Sequence, residues 1–366
     1  MNAERIYFEK HAGRNDFDLR LDVIRVVAMC SVVWGHCLMD LDDKNFAGLY
    51  AVLLQSSLLQ LGRVGTLLFF LISGFLIADK IKRFTVVSYL QYRFSSTILP
   101  WLVFVSLLVL IQLFITLPID QIFLGSKRKL IALIFEFYKG DIFHAAYWFI
   151  PVVIISCVIL IIFKTQLQKN SYGTVLALIT TFYGINLYLS LIPANHTTAF
   201  LGYAFFVWLG VIIKKRAPLI LRVIEMLPWK IVVPIFLIAF FLSCREGMIL
   251  TYNHSEDPYA SIRISNIILS LIIFFSLLKT HKFWQISYLK PRQYAFGVYL
   301  IHSIIIVLST PFVNQVIRLF NLNNSLSMIV LTRLAFFTMI LLTSYLLVNL
   351  IRKTPLCFLI GRRKSQ

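Results

Sequence analysis

Long apolar stretches recur along the whole chain, and short polar segments separate them. About ten of these stretches approach the roughly 20 residues that an α-helix needs to cross a bilayer. They lie at residues 21–39, 58–78, 96–117, 146–163, 174–191, 199–213, 231–243, 262–278, 295–311 and 328–351. A period-two alternation of apolar and polar residues, the signature of a β-barrel, is absent. The pattern therefore predicts an all-α fold, a polytopic bundle of about ten transmembrane helices.

Composition supports this prediction and raises one competing idea. Of the 366 residues, 59% are hydrophobic and only 14% are charged, which excludes a disordered chain and is unlike an ordinary soluble domain. The formal net charge is nevertheless +19. Because a large positive charge is also typical of nucleic-acid-binding proteins, the position of the charges decides between the two classes.

Most basic residues fall on one side of the predicted bundle. With ten spans and the N-terminus inside, 23 of the 35 Lys and Arg residues lie in the termini and even-numbered loops, and seven lie in the opposite loops. This asymmetry follows the positive-inside rule. We therefore expect both termini to be cytoplasmic, with tails at 1–20 and 353–366 around a membrane domain at 21–352. Membrane lipid, and not nucleic acid, is then the expected surrounding partner.

The chain shows neither a secretion signal nor a metal motif. The first apolar run follows a charged tail and contains Asp22 and Arg25, which the apolar core of a signal peptide would avoid. The five cysteines have no metal-ligand spacing, so we expect them to be small buried residues and expect no bound metal.

Three ionisable residues of the first predicted span are the strongest candidates for chemistry. A charge inside the bilayer costs at least about 2.5–3.5 kcal/mol, so each one is a functional candidate. At about 100° per residue, Asp22, Arg25 and His36 share one helix face, which runs from the cytoplasmic end to the outer half of the membrane. Histidine, with an ordinary pKa of about 6.5, suits a general base at neutral pH. An interfacial Asp22–Arg25 ion pair and a helix-packing role for His36 are the alternatives.

Other polar groups lie at similar depths. Arg63 is near the outer end of the second span, while Ser73 and Gly74 lie nearer the cytoplasm, where glycine permits close approach by a helix or by a thin ligand. His302 and Arg333 lie inside the ninth and tenth spans.

An aromatic group begins the fourth span. Tyr147, Trp148 and Phe149 fit either a belt at the headgroup level or a stacking wall for a sugar or isoprenoid. The preceding loop holds Lys127–Lys129, placed on the outer side, which suits an anionic, ring-bearing acceptor or a contact with lipid headgroups.

Four blocks of the sequence resemble the membrane acyltransferase-3 family, in the family's order. They are the run from Arg20 to Ala28 with His36 behind it, the run from Phe69 to Leu76, the run from Tyr147 to Ile150, and the run from Tyr294 to His302. The resemblance covers roughly residues 18–352.

This resemblance implies an enzyme. It implies transfer of an acyl group, usually acetyl, from cytoplasmic acyl-CoA to a hydroxyl of an extracytoplasmic polysaccharide or lipid-linked glycan, such as lipopolysaccharide O-antigen. It also implies a multi-pass protein of a bacterial inner membrane, with acetyl-CoA as co-substrate and no bound cofactor. His36 would be the essential catalytic residue, supported by Arg25 and Asp22.

The remaining site residues follow from the same resemblance together with the depth of each residue. The expected acyl-CoA site comprises Arg25, Ser73, Gly74, Lys82, Arg83 and Arg93, and the expected acceptor site comprises Arg63, Tyr147, Trp148, Tyr299, His302 and Arg333. The sequence departs from the family at one point. An Arg-x-x-Arg motif usual before the third span reads Arg93-Phe94-Ser95-Ser96 here, so Lys82 and Arg83 are the expected substitutes for the missing arginine.

Two other functions fit part of the pattern. A transporter or flippase for an isoprenoid-linked glycan explains the spans and buried charges, but not the ordered blocks, and no inverted repeat is visible. A structural subunit of a polysaccharide-synthesis complex predicts that His36 and Arg25 tolerate substitution. Acyl-CoA-dependent labelling of an acceptor separates the enzyme from both.

Overall fold

The computed structural model describes residues 16–38, 49–118, 126–280, 286, 289–322 and 325–361. All regular secondary structure in these ranges is helical, so the all-α prediction is confirmed. Residues 1–15 and 362–366, which hold most of the predicted cytoplasmic tails, lie outside the described residues.

The chain forms its helices in the order of the apolar stretches. The first seven are α1 (Asp16–Cys37), α2 (Leu49–Leu61), α3 (Val64–Ile77), α4 (Val86–Arg93), α5 (Leu99–Thr116), α6 (Lys127–Phe143) and α7 (Phe149–Ile162). The next seven are α8 (Asn170–Leu189), α9 (Ala204–Lys215), α10 (Ala217–Met226), α11 (Trp229–Tyr252), α12 (Ile264–Lys279), α13 (Pro291–Leu319) and α14 (Leu326–Arg352). Short 3-10 turns at Ala146–Trp148, Phe200–Tyr203 and Pro355–Ile360 and a π-helical segment at Phe94–Ile98 complete the set.

Each predicted apolar stretch falls on one or more helices, but fewer helices qualify as membrane spans. In the described ranges, six helical segments are long and apolar enough to cross a membrane, namely Tyr50–Ile77, Val86–Thr116, Asn170–Leu189, Trp229–Tyr252, Pro291–Leu319 and Leu326–Arg352. Helix α1 carries Arg20, Asp22 and Arg25, and α7, α9 and α12 are short. The count of ten spans and the side of each terminus therefore stay predictions.

The predicted basic third loop is in fact a helix. Lys127–Lys129 form the first turn of α6, and this helix joins Ala146–Ile162 at a bend of 63° to give a broken span or re-entrant segment. Counted as one, this pair brings the candidate spans to seven.

Helix α3 lies at the centre of the bundle, in contact with α1, α7, α9 and α12. Two glycines permit its close crossing with α9. A Cβ on Gly74 would lie 1.9 Å from the Val207 carbonyl oxygen, and one on Gly210 would lie 2.1 Å from the Leu71 carbonyl oxygen. Gly74 therefore serves helix packing, which was one of its two expected roles.

The break between α2 and α3 is held against α1. The Ser31 hydroxyl donates to the Leu61 carbonyl oxygen at 2.6 Å and accepts from the Gly65 N–H at 2.9 Å. Gly35 and Gly62 meet backbone to backbone, since a Cβ on Gly62 would lie 2.4 Å from the Gly35 Cα. This contact brings together His36 and Arg63, the residues that directly follow the two glycines.

Candidate active site

Two cavities lie at opposite ends of α1, and we call them inner and outer after the predicted orientation. The inner cavity has a volume of about 370 Å³ and is lined by residues of α1, α3, α4, α7 and α13 and by the C-terminal 3-10 turn. Arginine side chains and tyrosines lie at its predicted cytoplasmic end, and Phe69, Phe149 and Tyr299 also line it. It thus combines a cationic region with an apolar region.

Three arginines, Arg25, Arg93 and Arg292, line the inner cavity. Arg25 pairs with the fully buried Asp22, and the Arg292 Nε donates to the same Asp22 carboxylate at 2.9 Å. The Arg93 guanidinium lies over the rings of Tyr89 and Tyr92, at 5.5 and 5.7 Å from their centroids. One carboxylate therefore orients two of the three guanidinium groups, and the set carries excess positive charge.

The outer cavity has a volume of about 270 Å³ and is lined by ionisable groups of both signs. Its ionisable lining side chains are His36, Arg63, His144, His196, Glu256 and Asp257. Trp148 supplies an aromatic surface. Within the described ranges, no three His, Cys, Asp or Glu side chains are arranged to hold a metal ion.

Two loops close the outer cavity, one after α8 and one after α11. The Ala194 N–H donates to the Glu256 carboxylate at 2.7 Å, and the His196 Nδ1 lies 3.4 Å from Asp257 Oδ2. Burial favours the protonated form of Asp257, but the His196 hydrogen bond and the charge of Arg63 outweigh it and hold the pKa of Asp257 below its ordinary value. The Asp257 carboxylate is therefore ionised at neutral pH.

A line of aromatic rings connects the two cavities. Tyr299 lines the inner cavity, and its ring lies 5.9 Å from the ring of His302. The His302 ring lies 5.2 Å from that of His36, which lines the outer cavity. The His302 Nδ1 is 2.6 Å from the Tyr299 carbonyl oxygen, so this nitrogen carries a proton. His302 and Tyr299 are thus the layer between the cavities.

Comparison with known proteins decides the family. The sequence profile of the acyltransferase-3 family, described as an acyltransferase domain, matches residues 18–348, which is well over half of the chain. The chain belongs to the acyltransferase-3 family. No curated protein and no solved structure matches it. With its apolar helices, this acyltransferase-3 protein is an integral membrane protein.

Six of the residues singled out in the acyltransferase-3 sequence line one of the two cavities. Arg25, Ser73 and Arg93, assigned to the acyl-CoA site, line the inner cavity, and His36, Arg63 and Trp148 line the outer cavity. Tyr299, assigned to the acceptor site, lines the inner cavity instead, and its hydroxyl donates to the Ala146 carbonyl oxygen at 2.7 Å.

The other assigned residues do not line either cavity. Asp22 lies behind Arg25 and Arg292, while Lys82 and Arg83 are exposed on the turn after α3. Gly74 is at the crossing with α9, and Arg333 lies 3.4 Å from the Cys37 carbonyl oxygen. Lys82 and Arg83, the expected substitutes for the missing family arginine, thus lie apart from the cavity that Arg93 lines.

Two assigned acceptor residues are fully buried. The Tyr147 hydroxyl donates to the Leu300 carbonyl oxygen at 2.7 Å, which ties α13 to the turn before α7. His302 is also fully buried beside His36. Tyr147 and His302 therefore pack behind the residues that line the cavities, and neither is exposed in the outer cavity.

Arg292 in the inner cavity and the outer-cavity residues His144, His196, Glu256 and Asp257 were not predicted from the sequence. Arg292 was one basic residue among many on the cytoplasmic side, although it stands two residues before the Tyr294 block. Glu256 and Asp257 form an acidic pair in a chain with only 16 acidic residues, and that scarcity was the available signal.

Proposed function

We propose that this acyltransferase-3 protein moves an acyl group, most simply acetyl, from cytoplasmic acyl-CoA to a hydroxyl of an extracytoplasmic glycan in a bacterial inner membrane. The glycan is a cell-surface polysaccharide or its lipid-linked precursor. The observation that carries the proposal is the placement of Arg25 and His36 at two separate cavities along the single helix α1.

The charge of the inner cavity supports acyl-CoA as the donor. The head of CoA carries a diphosphate and a 3′-phosphate, and planar guanidinium groups bind such groups through paired hydrogen bonds. Arg25, Arg93 and Arg292 supply these groups at the predicted cytoplasmic end. The apolar part of the cavity, with Phe69 and Phe149, suits the narrow pantetheine arm.

The reaction at His36 is acyl transfer with one proton moved. The unprotonated imidazole nitrogen takes the proton of the acceptor hydroxyl, whose oxygen forms a bond with the thioester carbon. The C–S bond then breaks, and CoA leaves as the thiolate, which receives the proton. Arg63, in the same cavity as His36, supplies positive charge for the developing oxyanion.

The layer between the cavities requires one movement. The thioester reaches His36 only if Tyr299, the side chain of this layer that lines the inner cavity, rotates aside. Side-chain rotation of this kind occurs in folded proteins. While the layer is closed, it keeps the donor and the acceptor separate until both are bound.

Replacement of His36 by Ala tests this function. Cells producing the variant at the wild-type protein level should lose surface-glycan acylation, detected by mass spectrometry of the isolated glycan. His254→Asn is the matched control, because His254 is exposed and lies outside both cavities. Retained acylation in His36→Ala contradicts the proposal, whereas acyl-CoA-independent glycan transport would favour a transporter.

A further inference from the structure

The outer cavity contains a polar pair that the proposed reaction does not use. His196 lies in the loop after α8 and Asp257 in the loop after α11, with the His196 Nδ1 3.4 Å from Asp257 Oδ2. Both side chains are mostly buried, with 20% and 17% of their surfaces exposed. The pair lines the same cavity as His36 and Arg63.

The ionised Asp257 determines how His196 presents its ring. A carboxylate only accepts hydrogen bonds, so the His196 Nδ1 carries the proton that faces it. In the neutral ring the other nitrogen, Nε2, is then an acceptor. This atom is buried and has no hydrogen-bond partner among the residues that the structure describes. A buried acceptor without a partner is unfavourable, so a ligand hydroxyl that donates to Nε2 after a small rotation of the ring gains affinity.

The surroundings of His196 select the kind of ligand. The Trp148 ring packs against the His196 ring, with centroids 4.7 Å apart. Asn195 and Glu256 add an amide and a carboxylate to the lining. Two carboxylates face a single arginine, Arg63, in this cavity, so its charge favours an uncharged acceptor over the anionic one that the basic residues before Trp148 had suggested. An uncharged ring with several hydroxyls fits an aromatic surface with polar groups of both signs.

We propose that His196, oriented by Asp257, accepts a hydrogen bond from a second hydroxyl of an uncharged sugar ring and so directs the reacting hydroxyl toward His36. This inference rests on the proposed acyl transfer. His196 is a positioning residue in it, because it holds the acceptor and takes no part in bond making. The pair then determines which hydroxyl of the acceptor is acylated.

The test uses the full-length protein in proteoliposomes, with acetyl-CoA and the unacylated surface polysaccharide isolated from a strain that carries His36→Ala. We expect His196→Ala to raise the KM for this polysaccharide about tenfold or more. The KM for acetyl-CoA should stay within about twofold, because His196 is not part of the inner cavity. His196→Gln should recover part of the loss, since its amide oxygen also accepts from a hydroxyl.

The position of the acetyl group gives a readout that a purely structural role would not change. By NMR of the product, wild type should acylate one hydroxyl and His196→Ala several. His254→Asn, in the loop of Asp257, is the control, and asparagine tolerates the φ of 54° at this position. Unchanged acceptor KM and regioselectivity overturn the inference, as does an equal rise in both KM values. Absence of transfer by wild type refutes the proposed function itself.

Discussion

The imidazole rings of His36 and His302 lie 5.2 Å apart, at an angle of 49° to each other, and join α1 to α13 in the layer between the two cavities. His36 lines the outer cavity, whereas His302 is fully buried and held by the Tyr299 carbonyl oxygen. A fixed ring beside a reactive ring restricts the orientation of the latter. His302 is therefore expected to position His36.

Substitution of His302 tests this role. His302→Asn keeps a donor for the Tyr299 carbonyl oxygen but removes the ring beside His36. We expect kcat to fall about 10- to 100-fold, with protein level and donor KM unchanged, because misplaced catalytic groups lose rate and not donor affinity. Kinetics of the purified variant provide the measurement. A wild-type kcat would show that the ring contact is dispensable.

The glycine contact between α1 and the α2–α3 break gives a second prediction. A methyl group at Gly62 would overlap Gly35, and the backbone shift should separate His36 from Arg63. Such overpacking costs about 1–3 kcal/mol. We expect Gly62→Ala to reduce thermal stability and to lower activity at least about tenfold.

Gly140→Ala is the matched control for this change. A Cβ at Gly140 meets no atom within 4 Å, and Gly140 lies inside helix α6. Alanine there should leave stability unchanged or raise it by about 0.5–1 kcal/mol. Equal behaviour of the two variants would contradict the assigned role of the Gly35–Gly62 contact.

Arg292 gives a third prediction, for donor binding. It lines the inner cavity and shares Asp22 with Arg25. Arg292→Ala should raise the KM for acyl-CoA about 10- to 100-fold, the usual loss for a hydrogen bond to a charged group. Lys82→Ala and Arg83→Ala remove exposed charges outside this cavity and should leave the donor KM within about twofold. The reverse ranking would return the donor site to Lys82 and Arg83.

The Asp257 carboxylate predicts a pH dependence of stability. Its folded-state pKa lies below the ordinary value of 3.8, so its stabilising contribution is fully present above that value and is lost as pH falls through the lowered one. Asp257→Asn should lower the thermal midpoint at pH 7 by about 2–4 °C. This difference should persist to about pH 5 and shrink below about pH 4. A difference that is unchanged at pH 3 would contradict the assignment.

Asp79→Asn is the control for the pH experiment. The Asp79 side chain is 73% exposed and lies 3.7 Å from Lys214. An exposed ion pair contributes little to stability, so the variant should match wild type at every pH.

The helices were largely predictable, and the exceptions have physical causes. Apolar runs of span length have few alternatives to a helix in a bilayer. Helix α6 was missed because its charges, from Lys127 to Lys139, make it resemble a loop. The break at Gly62–Arg63 within the predicted stretch 58–78 depends on contact with Gly35, which no local pattern reveals.

The candidate site was likewise predictable in part. Asp22, Arg25 and His36 lie on one helix, so their spacing alone predicted a common stripe. The contacts of His36 with His302, and of His196 with Asp257, join residues far apart in sequence. Tertiary packing creates these contacts, and helical periodicity carries no information about them.

Acyl transfer across the bilayer is the most direct test of the central claim. Proteoliposomes would hold radiolabelled acetyl-CoA on the side of the N-terminus and unacylated surface polysaccharide on the opposite side, with wild-type protein or His36→Ala at equal amounts. Label should appear on the polysaccharide with wild type and fall to background with His36→Ala. Transfer by His36→Ala at the wild-type rate, or no transfer by wild type, would contradict the account.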